Sequence, residues 1–175
     1  TVPMVDGRVL GDTKFVSVSK AYDALPVATK KRIEGLQAVQ SIMHRLAQTL
    51  DSGIKKDYGA AVKADPEAVH PVVRVHPVTG RKALYLGRRR VWPSNYILGM
   101  NNADSEALLD KLWAHATQPK YAWTHYWNVG DCILWDNRCC MHYRTEIDVA
   151  QRRIMHRTQI KGTGAPVAFA SSRAA

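Results

Sequence analysis

The sequence predicts a mainly β protein with helical insertions, and two patterns indicate this class. In the second half, short runs of β-branched and aromatic residues are separated by Gly, Asn and Asp, which is typical of antiparallel strands joined by turns. The first third and residues 104–116 instead repeat apolar residues at helical spacing. With 46% hydrophobic residues, the 175-residue chain can bury a core, and we expect a single domain over residues 1–175.

Three helices are predicted in the first third, over residues 20–25, 29–36 and 41–50. Ser19 is the expected N-cap of the first helix, and Pro26 begins the stretch that contains the second. Ile42, Leu46 and Leu50 give the third helix its apolar face. Residues 51–69 turn polar and contain Gly, so we expect a loop or a lid there.

The second half is predicted to be mostly strands. Residues 72–77 and 83–86 flank a Gly-containing turn, which favours a hairpin. The clearest helix covers residues 104–116, because acidic residues in its first turn precede a stripe of leucines. The remaining predicted strands cover residues 122–127, 132–136 and 152–161, with a tight turn at 128–131 between the first two.

The formal charge of +10 suggests nucleic acid or small anions as partners. The basic clusters are scattered and no aromatic residues alternate with them, so we expect no nucleic-acid binding. No apolar run is long enough to span a bilayer, so no membrane partner is expected. Cys132, Cys139 and Cys140 are too few and too close for a disulfide framework, which favours a reducing, cytoplasmic location.

Two arginines in the last predicted strand are candidate anion ligands. Side chains four residues apart on a strand share a face, so Arg153 and Arg157 would face one cavity about 13 Å apart. Each guanidinium could then hold a separate carboxylate or sulfonate. A solvated or salt-bridged strand would show the same pattern, and the residues alone leave both readings open.

Five separated blocks of the chain resemble one family in order and spacing. They are Gly11-Asp-Thr13, residues 21–25, residues 70–77 with Gly80-Arg81, residues 135–138 with His142, and Arg152-Arg153 with Arg157. Between Gly11 and Gly162 the chain resembles the taurine dioxygenase (TauD/TfdA) family of Fe(II)- and 2-oxoglutarate-dependent oxygenases. The resemblance implies a double-stranded β-helix, or jelly-roll, core.

The resemblance also implies site residues and their roles. His142 would be the distal histidine of the iron site, and Arg153 with the Thr13 hydroxyl would hold the far carboxylate of 2-oxoglutarate. Arg157 would bind the acidic end of the substrate. Trp127 and Trp135 would lie near the iron, although ordinary core positions would explain them equally well.

One departure from the family pattern concerns the iron ligands. The family has a His-x-Asp pair, and none of the seven histidines here precedes an acidic residue by two positions. We expect that an N-terminal portion and an iron-site loop near residues 10–12 are missing from the sequence. A true deletion is the alternative, and it would leave His142 without a competent iron site.

The resemblance therefore implies a dioxygenase that hydroxylates a small anionic organic substrate and releases succinate and CO2. Its substrate would be a taurine-like sulfonate, an alkyl sulfate or an aryloxyalkanoate, used with 2-oxoglutarate and O2. The alternative is a non-catalytic jelly-roll protein that binds anions but lacks a complete iron site. A homo-oligomer is also expected.

Overall fold

The computed structural model describes residues 4–5, 8–40, 69–87, 95–148, 150–162, 164 and 167–168. Strands and helices alternate along these residues. The strands are β1 (Met4–Val5), β2 (Arg8–Val9), β3 (Thr13–Ser17), β4 (Gln37–Gln40), β5 (Val69–Pro71), β6 (Val73–Val75), β7 (Lys82–Leu84), β8 (Asn95–Ile97), β9 (Ala122–His125), β10 (Cys140–Arg144) and β11 (Val167–Ala168). The helices are α1 (Val18–Asp23), α2 (Val27–Ile33), α3 (Asn102–Ala116) and a 3₁₀ turn at Pro119–Tyr121.

All described strand pairs are antiparallel, which confirms the predicted mainly β class with helical insertions. Three sheets have three strands each, in the orders β10-β3-β9, β11-β6-β7 and β5-β4-β8, and β1 pairs with β2. We call β10-β3-β9 the site sheet. Its central strand, β3, pairs with strands more than 100 residues later in the sequence.

The local predictions are confirmed where neighbouring residues decide the structure. β6 and β7 form the expected hairpin, with Val73 opposite Leu84, and Gly80 takes the positive φ of its turn. Helix α3 begins two residues earlier than predicted because Asn101 caps it, accepting a hydrogen bond from the Asp104 amide. The turn at residues 128–131 is also present, closed by a hydrogen bond from the Asp131 amide to the Asn128 carbonyl.

The predicted N-cap of α1 is wrong. Ser17 caps the helix, with its hydroxyl accepting a hydrogen bond from the Lys20 amide, and Ser19 is buried inside the first turn. Pro26 does begin α2, which covers Val27–Ile33 and ends before Gly35 at a positive φ. The predicted helix at 41–50 and nearly all of the predicted loop at 51–69 lie outside the described residues, and Val69 begins β5.

Two predicted strands are wrong. Residues 132–136 and 152–161 are not strands in the described structure, whereas β3, β4, β8 and β10 are among the strands that the pattern missed. The predicted hairpin between residues 122–127 and 132–136 does not form: β9 pairs with β3, and residues 132–136 join no ladder among the described residues. The edge that remains on β3 is taken by β10, which follows the Asp136–Cys139 turn.

The main core lies between α1, α3 and the β6–β7 hairpin. Its fully buried members include residues from each of these elements and from α2, β4 and β8: Ala21, Ile33, Ala38, Val72, Ala83, Leu84, Ile97, Leu108, Leu109, Leu112 and Ala116. On the site sheet, Val16 and Met141 pack against this core. One face of the site sheet is therefore held to the helices. None of the described helices is long and apolar enough to cross a membrane.

Two buried serines allow a test of how α3 is attached. Ser105 is 1% exposed and its hydroxyl accepts a 2.8 Å hydrogen bond from the Ile97 amide of β8. Ser19 is 3% exposed, and its hydroxyl has no hydrogen-bond partner among the described residues. We expect Ser105→Ala to lower the free energy of unfolding by about 1–3 kcal/mol, because it leaves a buried N–H unpaired.

Ser19→Ala is the matched control and should change the free energy of unfolding far less, since it removes no hydrogen bond and Ala favours helix. Urea unfolding measures both. Equal losses in the two variants would contradict the assigned role of Ser105.

Candidate functional site

One face of the site sheet carries a row of aromatic side chains around His142. His142 on β10 lies opposite Phe15 on β3, and Phe15 lies opposite Trp123 on β9. Residues that lie directly opposite in an antiparallel ladder share a face, so the three rings form one row. The Phe15 centroid is 5.5 Å from that of Trp123 and 6.4 Å from that of His142. Phe15 is buried and His142 is exposed, so the imidazole stands at the accessible end.

Trp135 lies beside His142 and contacts a second predicted site residue, Arg157. Its ring centroid is 5.1 Å from that of His142 and 5.3 Å from that of Phe15. The Arg157 guanidinium carbon lies 5.7 Å from the Trp135 ring centroid, within the range of a cation–π contact. The structure thus joins His142 and Arg157 through one indole ring, although Arg157 is not on a strand.

Thr13 begins β3 and shares the His142 face, because it lies two residues before Phe15. Its buried hydroxyl oxygen accepts a 2.9 Å hydrogen bond from the indole N–H of Trp127. A hydroxyl that accepts one hydrogen bond can still donate its own proton. The contact with Trp127 therefore leaves the proton of the Thr13 hydroxyl available for donation.

Arg153 reaches the same end of the sheet from the irregular segment after β10. One of its terminal nitrogens, Nη2, donates a 3.1 Å hydrogen bond to the Gly11 carbonyl, two residues before Thr13. Its Nε atom is buried and has no hydrogen-bond partner among the described residues. Burial lowers the pKa of Arg153, and the nearby positive charge of Arg144 lowers it further.

Arg144 is a further candidate residue on this face, and sequence reasoning missed it. It ends β10 and lies directly opposite Thr13, so its side chain leaves the sheet on the same face. The available signal was its position two residues after His142, which on a strand places both side chains on one face. That signal was not used because β10 was not predicted.

An ion-paired cluster supports the segment that leads into β10. The buried His76 ring accepts hydrogen bonds at Nδ1 from the Val78 and Thr79 amides, so Nε2 carries the proton and donates to Asp136 at 3.0 Å. Arg138 contacts the same carboxylate through Nε and Nη2. The Arg138 guanidinium holds the pKa of Asp136 well below its usual range, and His76 contributes in the same direction.

His76, Asp136 and Cys139 also form the one group of metal-ligand side chains found among the described residues. The geometry argues against a metal there. The Nε2 proton of His76 is already donated to Asp136, and the Asp136 carboxylate is neutralised by Arg138. We therefore interpret the cluster as a structural tie between the β6–β7 hairpin and the Trp135 segment.

The three cysteines are free thiols, which agrees with the expected absence of a disulfide framework. Burial raises the pKa of the Cys140 thiol to about 11, with a further contribution from neighbouring Cys139. A thiol in that state is a poor nucleophile and metal ligand at neutral pH.

A cavity of about 490 Å³ borders the opposite face of the site sheet, lined by residues that include Lys14, Thr124 and Tyr143. It contains neither His142 nor either of the predicted arginines. The chemistry-bearing side chains instead gather on the Phe15 face: Thr13, His142 and Arg144, with Arg153 and Arg157 approaching from the C-terminal segment. The roles that the sequence predicts for these residues remain predictions.

Comparison with known proteins identifies relatives along nearly the whole chain. Residues 3–159 match the family described as "Taurine catabolism dioxygenase TauD, TfdA family". An (S)-phenoxypropionate/alpha-ketoglutarate-dioxygenase from Sphingobium herbicidovorans is 38% identical over 92% of this chain and 54% of its own length. An alpha-ketoglutarate-dependent 2,4-dichlorophenoxyacetate dioxygenase from a Burkholderia species is 36% identical over 87% of this chain and 49% of its own.

Solved structures give the same result. The crystal structure of AAD-2 in complex with Mn(II) and N-oxalylglycine is 33% identical, with a TM-score of 0.76, and the match covers 95% of this chain and 63% of that one. A taurine dioxygenase from Burkholderia xenovorans is 29% identical with a TM-score of 0.59, over 83% and 43% of the two chains. The chain spans about half the length of the curated relatives it matches.

Substitution of Gly11 tests how closely the Arg153 side chain packs against the backbone at this position. Gly11 has a φ of +77°, and a Cβ there would lie 2.7 Å from Ile147 Cγ2 and 2.9 Å from Arg153 Nε. Gly80 has a φ of +67° with nothing within 4 Å of such a Cβ. We expect Gly80→Ala to cost about 1–2 kcal/mol of folding free energy from backbone strain alone.

Gly11→Ala should cost more than this control, because crowding adds to the strain, and it should shift the side-chain N–H resonance of Arg153. Urea unfolding and NMR of the arginine side chains measure the two effects. An unshifted Arg153 signal would show that the guanidinium is not held against Gly11.

Substitution of Asp136 tests whether its ion pairs with His76 and Arg138 stabilise the fold, because that contribution should depend on pH. A carboxyl group whose folded pKa is depressed stabilises the fold above its unfolded pKa and loses that contribution as pH falls through the folded value. We expect Asp136→Asn to lower the free energy of unfolding by about 1–2 kcal/mol at pH 7, at the low end for charged hydrogen bonds because the site is partly exposed. The difference from wild type should shrink below about pH 4.

The control is Asp23→Asn, which removes the exposed ion pair with Arg81 and should cost less than about 1 kcal/mol. Thermal unfolding between pH 2 and 8 measures both variants. A constant difference between wild type and Asp136→Asn over that range would contradict the interpretation.

Proposed function

The chain belongs to the TauD/TfdA family of dioxygenases, and on this premise we propose that the protein is an Fe(II)- and 2-oxoglutarate-dependent dioxygenase. It hydroxylates a small anionic organic substrate and releases succinate and CO2. The observation that carries the proposal is that Thr13 and His142 share one face of the site sheet, with Arg153 hydrogen-bonded to Gly11 at the end of that sheet. The jelly-roll core belongs to the same proposal, and the antiparallel sheets with few helices support it.

The far carboxylate of 2-oxoglutarate fits the Thr13 end of this face. Trp127 leaves the Thr13 hydroxyl free to donate, and the buried Nε of Arg153 lacks an acceptor among the described residues. A carboxylate oxygen would satisfy both groups with charge-assisted hydrogen bonds. These donors bind and orient the co-substrate, and they take no part in proton transfer.

The acidic primary substrate is assigned to the Arg157 end. Arg157 lies on the Trp135 ring, beside His142 and Phe15, so a bound anion there would have aromatic side chains next to it. Such a wall suits an aryloxyalkanoate, whose ring can stack while its carboxylate meets the guanidinium. The substrates named for the relatives support this class, and an alkyl sulfate or sulfonate is the alternative within the same proposal.

The iron site is only partly supplied by this sequence. Non-haem Fe(II) of this type needs two histidines and one carboxylate on one face of the metal, and it supplies the oxygen chemistry when bound. His142 is exposed and offers one imidazole, but no histidine in the 175 residues precedes an acidic residue by two positions. The residues in hand therefore do not complete the site, and we assign them to binding and orientation.

The incomplete set of iron ligands favours one second candidate, a non-catalytic jelly-roll protein that binds anions. It would use Thr13, Arg153 and Arg157 without iron. A His-x-Asp pair encoded upstream of Gly11 would favour the enzyme, and a reading frame without one would favour the binding protein. O2 as co-substrate, a homo-oligomer and a cytoplasmic location belong to the enzyme proposal, and free cysteines support the last of these.

His142 carries the test of the enzyme proposal. We expect the complete protein to bind one Fe(II) and His142→Ala to lose both metal binding and substrate-dependent succinate formation, because the ligand set loses an imidazole. His156→Ala is the control, since His156 is an exposed histidine of the C-terminal segment, and it should keep both. Equilibrium dialysis with Fe(II) under anaerobic conditions and a succinate assay measure the two properties.

Undiminished succinate formation by His142→Ala would show that His142 is not a required iron ligand. Anion binding without metal binding in the wild type would instead support the non-catalytic candidate.

A further inference from the structure

Two arginines, Arg144 and Arg153, lie at the Thr13 end of the site sheet. Arg144 lies directly opposite Thr13 in the ladder between β10 and β3. Arg153 donates to the carbonyl of Gly11, two residues before Thr13. The start of β3 therefore has a hydroxyl donor and two cationic side chains in one small region.

The positive charge of this pair is not neutralised within the described part of the chain. Neither Arg144 nor Arg153 forms an ion pair there, whereas Arg138 is paired with Asp136 and Arg81 with Asp23. The two cations are close enough for Arg144 to disfavour the charged form of Arg153. Like charges held together in a partly buried site raise the free energy of the empty state, and an anion between them removes that cost.

We propose that Arg144 is a second guanidinium of the co-substrate site, which binds the far carboxylate of 2-oxoglutarate together with Arg153 and Thr13. The inference rests on the proposed function and deepens it. Arg153 is held against Gly11 and supplies the fixed donor. Arg144 is exposed on a long side chain and supplies a donor that closes on the bound carboxylate.

This arrangement makes the site selective for keto acids with a second carboxylate. A keto acid without the far carboxylate, such as 2-oxobutanoate, cannot reach Arg144, so its binding should not depend on that residue. A dicarboxylate keto acid should bind with an affinity that falls as salt screens the second guanidinium. A purely structural role for Arg144 would change neither the ligand selectivity nor the salt dependence.

The test is calorimetric titration of 2-oxoglutarate and of 2-oxobutanoate into the complete Mn(II)-loaded protein. We expect Arg144→Gln to weaken 2-oxoglutarate binding by about tenfold, the low end for a charged hydrogen bond at an exposed donor, and to leave 2-oxobutanoate binding unchanged. Arg144→Lys should restore part of the loss. Arg32→Gln, which removes the same charge from an exposed position on α2, should bind both ligands like wild type.

The variant should also show a shallower salt dependence of 2-oxoglutarate binding than wild type. Unchanged 2-oxoglutarate affinity in Arg144→Gln, together with loss in Arg153→Gln, would overturn the inference and leave the proposed function standing. Equal weakening of both keto acids would also overturn it, by indicating a structural role. Failure of the wild type to bind either keto acid would overturn the proposed function and this inference together.

Discussion

The antiparallel pairing of β3 with β10 and β9 is the constraint on which the site depends. It places Thr13 and Phe15 opposite Arg144 and His142, although these pairs are separated by more than 120 residues in the sequence. Backbone hydrogen bonds set the register, and a slip of one residue would turn every one of these side chains to the other face. The packing of Val16 and Met141 on the helical core resists such a slip, because a slip would take these two apolar side chains away from the core.

The arginines near the site differ in whether they have an acidic partner. Arg138 forms an ion pair with Asp136. Together with His76, this ion pair connects the β6–β7 hairpin to the segment that carries Trp135. Arg144, at the other end of β10, and Arg153, which contacts Gly11, have no acidic partner among the described residues. The positive charge behind the formal net charge of +10 is therefore not spread evenly over the surface. Part of it lies at the Thr13 end of the site sheet, close to other hydrogen-bond donors.

Aromatic packing connects the two ends of the site. Phe15 is buried under Trp123 and Trp135, and Trp135 in turn contacts His142 and Arg157. Trp127 is held against His125 and orients Thr13 through its indole N–H. Rings with few rotatable bonds lose little entropy on burial, so this wall can position an imidazole and two donor groups at low conformational cost.

The sequence by itself determined the elements that neighbouring residues decide. The leucine stripe and Asn101 cap define α3, Gly80 defines the β6–β7 turn, and the ordered family blocks point to Thr13, His142, Arg153 and Arg157. Only the tertiary structure decided which strands exist in the second half. Residues 132–136 and 152–161 have strand-like composition but are not strands, whereas β10 is one because β3 offers it a free edge. Arg144 became a candidate for the same reason: a strand's pairing and its shared face are set by a distant partner, which no local pattern contains.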